Sequence, residues 1–438
     1  MEKLAGQKVL ESLKERFQAF ETSLNGQSNS AAHQVRKAAF ENLQTKGLPH
    51  AKHEEYKFFN LTKALEKNFN FSQSSSPATV NADTVQQFGI EGLEAHKLVL
   101  INGVLSAELS DNIAIEGVSI EALQDAFDKE NVALFNTEAQ FEEDAFVAMN
   151  TAFAQNGIQI TVADKAVVEK PIMLQFIGAS AEESFDYQVR NLINIGKLAE
   201  VTIIEKFDTI EGASSFTNIV NEISVAEGAQ AKYYKIENDA ANTYHIANTH
   251  VSQQQNSHFT ANTIALDGAM VRNNLNIKLQ AENCEAHMNG LYVLGDKTHV
   301  DNHTVVDHMM PNAYSNELYK GIMDDKSKGV FNGKIFVRQD AQKTNAFQSN
   351  KNILLTNDAT VNTKPQLEIW ADDVKCSHGC TTGQLDRDAL FYLQARGIQK
   401  DKARAILLHA FASDVIENFE IEAIQQYVEA IITERLAK

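Results

Sequence analysis

The sequence predicts a mainly β protein, a β-solenoid with helical segments at both ends. Three observations point there. From G-I-Q-I-T-V (157–162) to Gly383 the chain runs as short β-rich stretches, with only Pro171, Pro311 and Pro365 among them. Several stretches open on a polar, small-residue turn: E-G-A-Q-A-K-Y-Y-K-I, D-G-A-M-V-R-N-N-L-N-I, E-N-C-E-A-H-M-N-G-L-Y-V, S-K-G-V-F-N-G-K-I-F-V and N-D-A-T-V-N-T-K-P-Q-L-E-I. Long helical periodicity is confined to the chain before and after this region. A unit too short to bury its own apolar face must stack on the next one, which is the logic of a solenoid. The turns recur at irregular intervals, and a large sandwich or jelly roll also yields many short strands. Abundant asparagine between Asn238 and Asn362, suited to polar ladders at stacked turns, favours the solenoid.

Taken in order, the first segment is helical. Leu10, Leu13, Phe17, Phe20 and Leu24 fall at alternating three- and four-residue spacings and form one apolar stripe. N-G-Q-S-N-S (25–30) breaks it, and a second helix runs to about Thr45, before G-L-P. S-Q-S-S-S-P-A-T (72–79) reads as a linker, having no apolar residue larger than alanine. H-K-L-V-L-I-N-G-V-L (96–105) reads as short strands and residues 119–156 as helical. After the solenoid, Asp386 is placed to cap a helix that Gly397 ends. Ala403, Ile406, Leu407, Ala410, Phe411 and Val415 form a second apolar face, and Ile421, Ile424, Val428 and Ile431 a third. Such helices can cap the solenoid's open end or offer a docking face, and periodicity does not choose. The expected division is a helical domain over 1–75, a β core over 76–383 and a helical domain over 384–438.

A net charge of −19 and a pI of about 5.1 weigh against a nucleic acid or an anionic membrane held by phosphate neutralisation. No apolar run is long enough to span a bilayer, and M-E-K-L-A-G-Q-K leads into an amphipathic pattern instead of an apolar signal core. Three cysteines, with Cys284 far from the other two, make no disulfide framework and fit a reducing cytosol, so a cytoplasmic protein is expected. G-V-F-N-G-K-I has neither the spacing of a P-loop nor a hydroxyl after its lysine, and G-x-G-x-x-G and G-x-S-x-G are missing. The chain is not expected to hydrolyse nucleotide by itself.

V-K-C-S-H-G-C-T-T-G (374–383) sets Cys376, His378 and Cys380 at every second position. In an extended segment all three face one side. They either ligate or react, or the cysteines are small residues filling a tight turn. A metal or an iron–sulfur cluster normally takes about four protein ligands. One chain supplies at most three here, so a cluster would be labile or shared with a partner, which suits assembly better than electron transfer. T-H-V-D-N-H-T-V-V-D-H-M-M likewise sets His299, Asp301 and His303 at strand spacing, with Asp307 and His308 following. That resembles a two-histidine, one-carboxylate metal set; the preferred reading is structural, with His287 and His308 in one stack. A β-helix carbohydrate-active enzyme is the competing class, with Asp324–Asp325 or Asp372–Asp373 as acids. Carboxylate pairs are common on surfaces, and Trp370 is the single tryptophan available to stack on a sugar.

L-Y-K-G-I-M-D-D-K-S-K-G-V-F-N-G-K-I-F-V-R-Q-D-A-Q-K-T-N-A-F-Q-S-N-K-N-I-L-L (318–355) resembles the core signature of the SufB/SufD family, scaffold subunits of the SUF iron–sulfur cluster assembly machinery. L-E-I-W-A-D-D-V-K-C-S-H-G (367–379), followed by L-F-Y-L-Q-A-R-G-I, resembles the SufD branch; the SufB branch carries Glu-His-Glu where this chain has Ser377, His378 and Gly379. G-L-P-H-A-K-H-E-E-Y-K-F-F (47–59) is similar to the start of that branch's core. The resemblance implies a right-handed parallel β-helix between N-terminal and C-terminal helical domains, with no catalytic turnover of its own. It implies edge-to-edge pairing with a SufB-type scaffold subunit, or with a second copy as a homodimer, and a SufC-type ATPase bound through the C-terminal helices. It further implies a transient iron–sulfur cluster shared at the scaffold interface, with His378 as ligand and Cys376 close by. Cys380 stands where the family usually has a small residue without a thiol, and its place among the metal-side groups stays open.

Overall fold

The computed structural model describes residues 5–24, 30–72 and 79–436. From Ile158–Val162 to Lys375–Gly383, successive strands alternate between a ten-stranded and a nine-stranded sheet, so each coil gives one strand to each. Pairing within this run is parallel, as a solenoid requires and an antiparallel sandwich does not. Val271, Val300, Gly329 and Val361 stack in register on one side of the coil, and Phe259, Ala286, Ser315, Ala346 and Cys376 on the other. Alternation along each strand turns these rows inward, and Ile193, Ile203, Phe259, Val271, Val300 and Phe331 are buried there in one continuous core.

The recurrent turns are two corners of the coil, interleaved. At one corner Leu198, Gly228, Asn256, Asn283, Asn312 and Lys343 have positive φ. Each donates its N–H to a carbonyl one coil later, on Glu227, Gln255, Glu282, Pro311, Gln342 and Asp373 respectively. Gly268, Asp296 and Asp325 hold positive φ at the other corner. Glycine and asparagine enter this region most readily. E-G-A-Q and E-N-C-E belong to the first corner, D-G-A-M and S-K-G-V to the second, which is why the intervals are irregular in the sequence. Behind the first corner Ala199, Ala229, Ser257, Cys284, Ala313 and Thr344 form a buried column. Cys284 is a small residue filling that column.

Helices cover the outer faces. Gln7–Ser23 buries Leu10, Leu13, Phe17 and Phe20 as its stripe predicts, and Ala31–Lys46 is capped by Ser30, whose hydroxyl accepts the His33 N–H. With Ala145–Ala152 they form an apolar layer that reaches Phe216 and Ile246 on the nine-stranded sheet. Residues 119–156 are not helical throughout: Val118–Ala122 is a strand, and only Leu123–Asp128 and Ala145–Ala152 are helices. The β-branched Val118 and Ile120 pair antiparallel with Val162 and Ile160. Residues 25–29 and 73–78, where the helix break and most of the linker fall, lie outside the described residues. The loop 136–139 is fastened to the solenoid by Glu222. Its carboxylate accepts the backbone N–H groups of Asn136, Thr137, Glu138 and Ala139 at 2.7–3.1 Å and the Arg190 guanidinium at 2.6 Å.

Asp386 caps Arg387–Ala395, accepting the Asp388 and Ala389 N–H groups, and Gly397 follows at φ 87°. Lys400–Ile416 and Glu422–Leu436 lie along the outer face of the ten-stranded sheet, against Tyr234, Ile264, Leu291 and Ile322. They do not cap the open end. Ile424, Val428 and Ile432 make the buried stripe of the last helix. On Lys400–Ile416 the buried stripe is Ala403, Leu408, Ala412, Val415 and Ile416, whereas the expected Ile406 and Ala410 are exposed. Apolar residues occur on more than one side of this helix, so periodicity could not select the face. Among the described residues, no helix is long and apolar enough to cross a membrane.

Candidate functional site

The segment around Cys376 and His378 forms Lys375–Gly383, the last strand of the ten-stranded sheet, paired on one side with Asn345–Leu354. The Lys375 N–H donates to Thr344 O at 2.9 Å. In a parallel ladder the backbone groups of alternate residues face the same neighbour. Those of Cys376, His378, Cys380 and Thr382 therefore face the open edge. Their register partners Ala346, Gln348, Asn350 and Asn352 are buried. The four residues thus continue the inward row into a coil that, among the described residues, no further coil covers.

The three groups predicted from sequence do share one face. Cys376 is half-buried against the cluster of Ile335, Val337, Ala341 and Ala346, while His378 and Cys380 are exposed. Burial pushes the Cys376 thiol above its ordinary value, and a hydrogen bond with the Ala346 backbone works the other way. Alternate residues of a strand stand about 7 Å apart, so about 13 Å separates Cys376 from Cys380, too far for one ion to take both thiolates. Among the described residues, no three acidic, histidine or cysteine side chains are grouped to hold a metal ion. What the row offers is a single imidazole with a thiol on either side, presented at an edge.

The companion edge is different. Thr360–Ile369 ends the nine-stranded sheet, and Thr360 donates to Ser327 O at 3.1 Å. By the same alternation Pro365 sits where its N–H would have faced outward. A proline blunts an edge by removing the donor. Sequence reading left that signal unused, since a proline within such a run marks an edge strand. Beneath the row, Tyr292 donates to Asn352 Oδ1 at 2.5 Å, Asn350 donates to Tyr292 at 3.2 Å, and Asn352 donates to Asn350 Oδ1 at 2.7 Å. This closed polar network was not foreseen.

His299, Asp301 and His303 lie on one outer row of His299–His308, as their spacing predicts, and the N-terminal segment covers it. The His299 ring meets Phe59 edge-on at 5.0 Å. Asp301 accepts from Arg272 at 2.6 Å and lies 3.0 Å from His303 Nε2, while His303 Nδ1 lies 3.4 Å from Glu55. Lys334 also reaches Glu55, at 2.5 Å. The His303 hydrogen bond, opposed by burial and aided by Lys334, pulls the Glu55 carboxyl down to about 2. The set is an ionic clasp for residues 51–59. Asp307 instead pairs with Arg338 at 2.8 Å. The single stack expected for His287 and His308 does not form: His308 points inward, 2.9 Å from Ser315 Oγ, and His287 lies on the other sheet's outer row beside Glu285. Of the acid pairs, Asp324 meets Arg404 on a C-terminal helix at 3.0 Å, Asp325 accepts the Asp296 N–H at a turn, and the Asp373 backbone N–H donates to Gln342. Trp370 packs on Phe336.

Two family models match the chain. One, described as the SufBD core domain of SUF system FeS cluster assembly, covers residues 176–411, and one for the N-terminal region of SufBD proteins covers 7–174. An iron–sulfur cluster assembly SufBD family protein of Synechocystis is 29% identical over 429 residues, 95% of this chain and 93% of that one. The iron–sulfur cluster assembly protein SufD of Escherichia coli K12 is 32% identical over 393 residues, 89% of this chain and 90% of its own length. A chloroplastic protein of Arabidopsis thaliana, ABCI7, is 33% identical over 285 residues, 63% of this chain and 60% of its own. A core model matching more than half of the chain, and a relative of that identity along nearly its whole length, establish that the chain belongs to the SufBD family of iron–sulfur cluster assembly proteins.

Proposed function

We propose that this chain is the SufD-type scaffold subunit of a cluster assembly complex. It turns over no substrate of its own and lends a surface on which a nascent iron–sulfur cluster, as cargo, is built. The carrying observation is the unpaired edge of Lys375–Gly383, which presents backbone donors and acceptors together with the Cys376, His378 and Cys380 side chains. A SufB-type scaffold strand pairs along this edge, a second copy of the chain being the alternative occupant. His378 is the cluster ligand from this side; Cys376 adjoins it, and Cys380 is the second thiol within its reach. The SufC-type ATPase docks on the C-terminal helices, a reading supported by Phe391 and Tyr392, which are 72% and 57% exposed on Arg387–Ala395. The three free cysteines suit a reducing cytoplasm.

Replacing His378 with alanine tests the ligand role. The side chain is exposed, so the melting temperature and partner pairing are expected to stay as they are. Cluster formation in the complex, followed by visible absorption and by iron and sulfide content, is expected to fall more than the 10- to 100-fold typical of residues that merely support a ligand. A folded, paired variant that assembles clusters at the normal rate would rule the role out.

A further inference from the structure

Gln348 is the register partner of His378, on the same inward row one coil earlier, and is 4% exposed. Its Nε2 donates to Glu317 Oε2 at 2.7 Å, one coil earlier still. Its Oε1 is shielded from solvent and, among the described residues, no donor, His378 included, lies within hydrogen-bond distance in this conformation. The neighbouring amides differ, since Asn350 and Asn352 both have their oxygens occupied. A buried carbonyl oxygen left without a donor is costly; Asn218, Asn273 and Asn332 also keep one, but at Gln348 the position that would supply the donor lies on the edge strand. The amide is closely seated as well: a Cβ at Gly333, on the facing sheet, would run into Gln348 Nε2.

The orientation of the Gln348 amide itself says what the free oxygen awaits, since its nitrogen is already committed to the coil before it. On the outer rows Asn218 donates to Gln188, Asn274 to Asn248 and Asn289 to Asn262, each time from a later coil to an amide oxygen one coil earlier, whereas the inward Asn191 donates forward to Asn221. Gln348 donates backward, to Glu317. Its own oxygen is then the acceptor for the coil that follows, and the residue in register there is His378. We propose that Gln348 is the positioning residue for His378, accepting an imidazole N–H on Oε1, and that Glu317 braces the amide against flipping. An imidazole that donates from one nitrogen keeps the lone pair on the other, free for a ligand that approaches from the open edge. That it orients a cluster ligand rests on the function proposed above; the hydrogen bond itself does not.

The test is nitrogen NMR of the full chain labelled at histidine, with the His378 signals identified by their loss in His378→Ala. The native protein is expected to show one tautomer. Gln348→Leu, of similar volume without an acceptor, is expected to move both ring nitrogens to the averaged shifts of a free imidazole and to slow cluster assembly in the complex 10- to 100-fold. Glu317→Leu, which frees the amide to turn, is expected to loosen the tautomer too, and it serves should Gln348→Leu not fold. Glu317→Gln keeps an acceptor for Nε2 and should leave the shifts unchanged. Averaged shifts already in the native protein, or shifts untouched by both leucine variants, overturn the inference. Normal assembly in folded His378→Ala removes the ligand reading instead and leaves the tautomer result standing.

Discussion

The two ends of the solenoid are built to opposite rules. At the N-terminal end the first parallel strands are closed off: Val104–Ser106 runs antiparallel to His96–Ile101, and Val118–Ala122 antiparallel to Ile158–Val162. The interior there is apolar, with Leu98, Leu100, Ile158 and Ile160 buried. At the C-terminal end both sheets stop, on Thr360–Ile369 and Lys375–Gly383, and the coils just inside hold Glu317, Gln348, Asn350 and Asn352. Soluble proteins guard their strand edges because a bare row of N–H and C=O groups recruits other chains. One end follows that rule with two covering strands. The other guards one edge with Pro365 and leaves its neighbour bare, and the bare one carries the histidine. Closure marks the end that holds the chain together, and openness, on the function proposed above, marks the end offered to a partner.

The largest effect is expected at the closed end. Glu222 and Arg190 are fully buried together. Replacing Glu222 with alanine strands the guanidinium and releases four backbone N–H groups, and breaking such a pair costs about 3–5 kcal/mol. Urea unfolding of Glu222→Ala should show that loss. A change below about 1 kcal/mol, the scale of an ordinary surface substitution, would mean that the closed end is not fastened in this way.

The next effect belongs to the open end and depends on pH. Burial, only partly offset by hydrogen bonds with Thr304 and Gln348, raises the Glu317 carboxyl from 4.5 to about 7. Between those values the folded chain holds a proton that the unfolded chain has released, so stability falls as pH rises through that window and levels off above it. Glu317→Gln has no such proton to lose. Its stability relative to the native protein should be greater at pH 8 than at pH 5 by about 2 kcal/mol. Parallel pH dependences for the two proteins would show that Glu317 ionises at its ordinary value.

What could be read from the sequence was what a few neighbouring residues decide. Leu10, Leu13, Phe17 and Phe20 set a helix stripe, Asp386 caps a helix, and alternation puts Cys376, His378 and Cys380 on one face. Features set by distant partners were not legible. The coil period was hidden because two corners, such as those at Asn283 and Asp296, interleave in one chain. His299, Asp301 and His303 have a metal-like spacing, yet Glu55 and Phe59, from far earlier in the chain, decide their role. The open oxygen of Gln348 depends on a register with His378 that no local pattern announces.

The smallest effect separates the two edges directly. The Cys380 N–H faces outward, so Cys380→Pro removes no hydrogen bond within this chain. Gly379 before it also tolerates the restriction that a proline imposes on its neighbour. Folding stability should change by no more than about 0.5 kcal/mol. A strand pairing along this edge would lose one donor and meet the ring, which should weaken association with a SufB-type scaffold roughly tenfold, the equivalent of one hydrogen bond. Cys380→Ala, which keeps the N–H, should bind as the native chain does, separating the donor from the thiol. Val104, 49% exposed on a covering strand, gives the control at the other end. Val104→Lys adds a charge to that surface and should leave association unchanged by sedimentation analysis. Equal losses at both ends would mean that pairing does not distinguish the edges. A loss at Val104 alone would move the interface to the closed end.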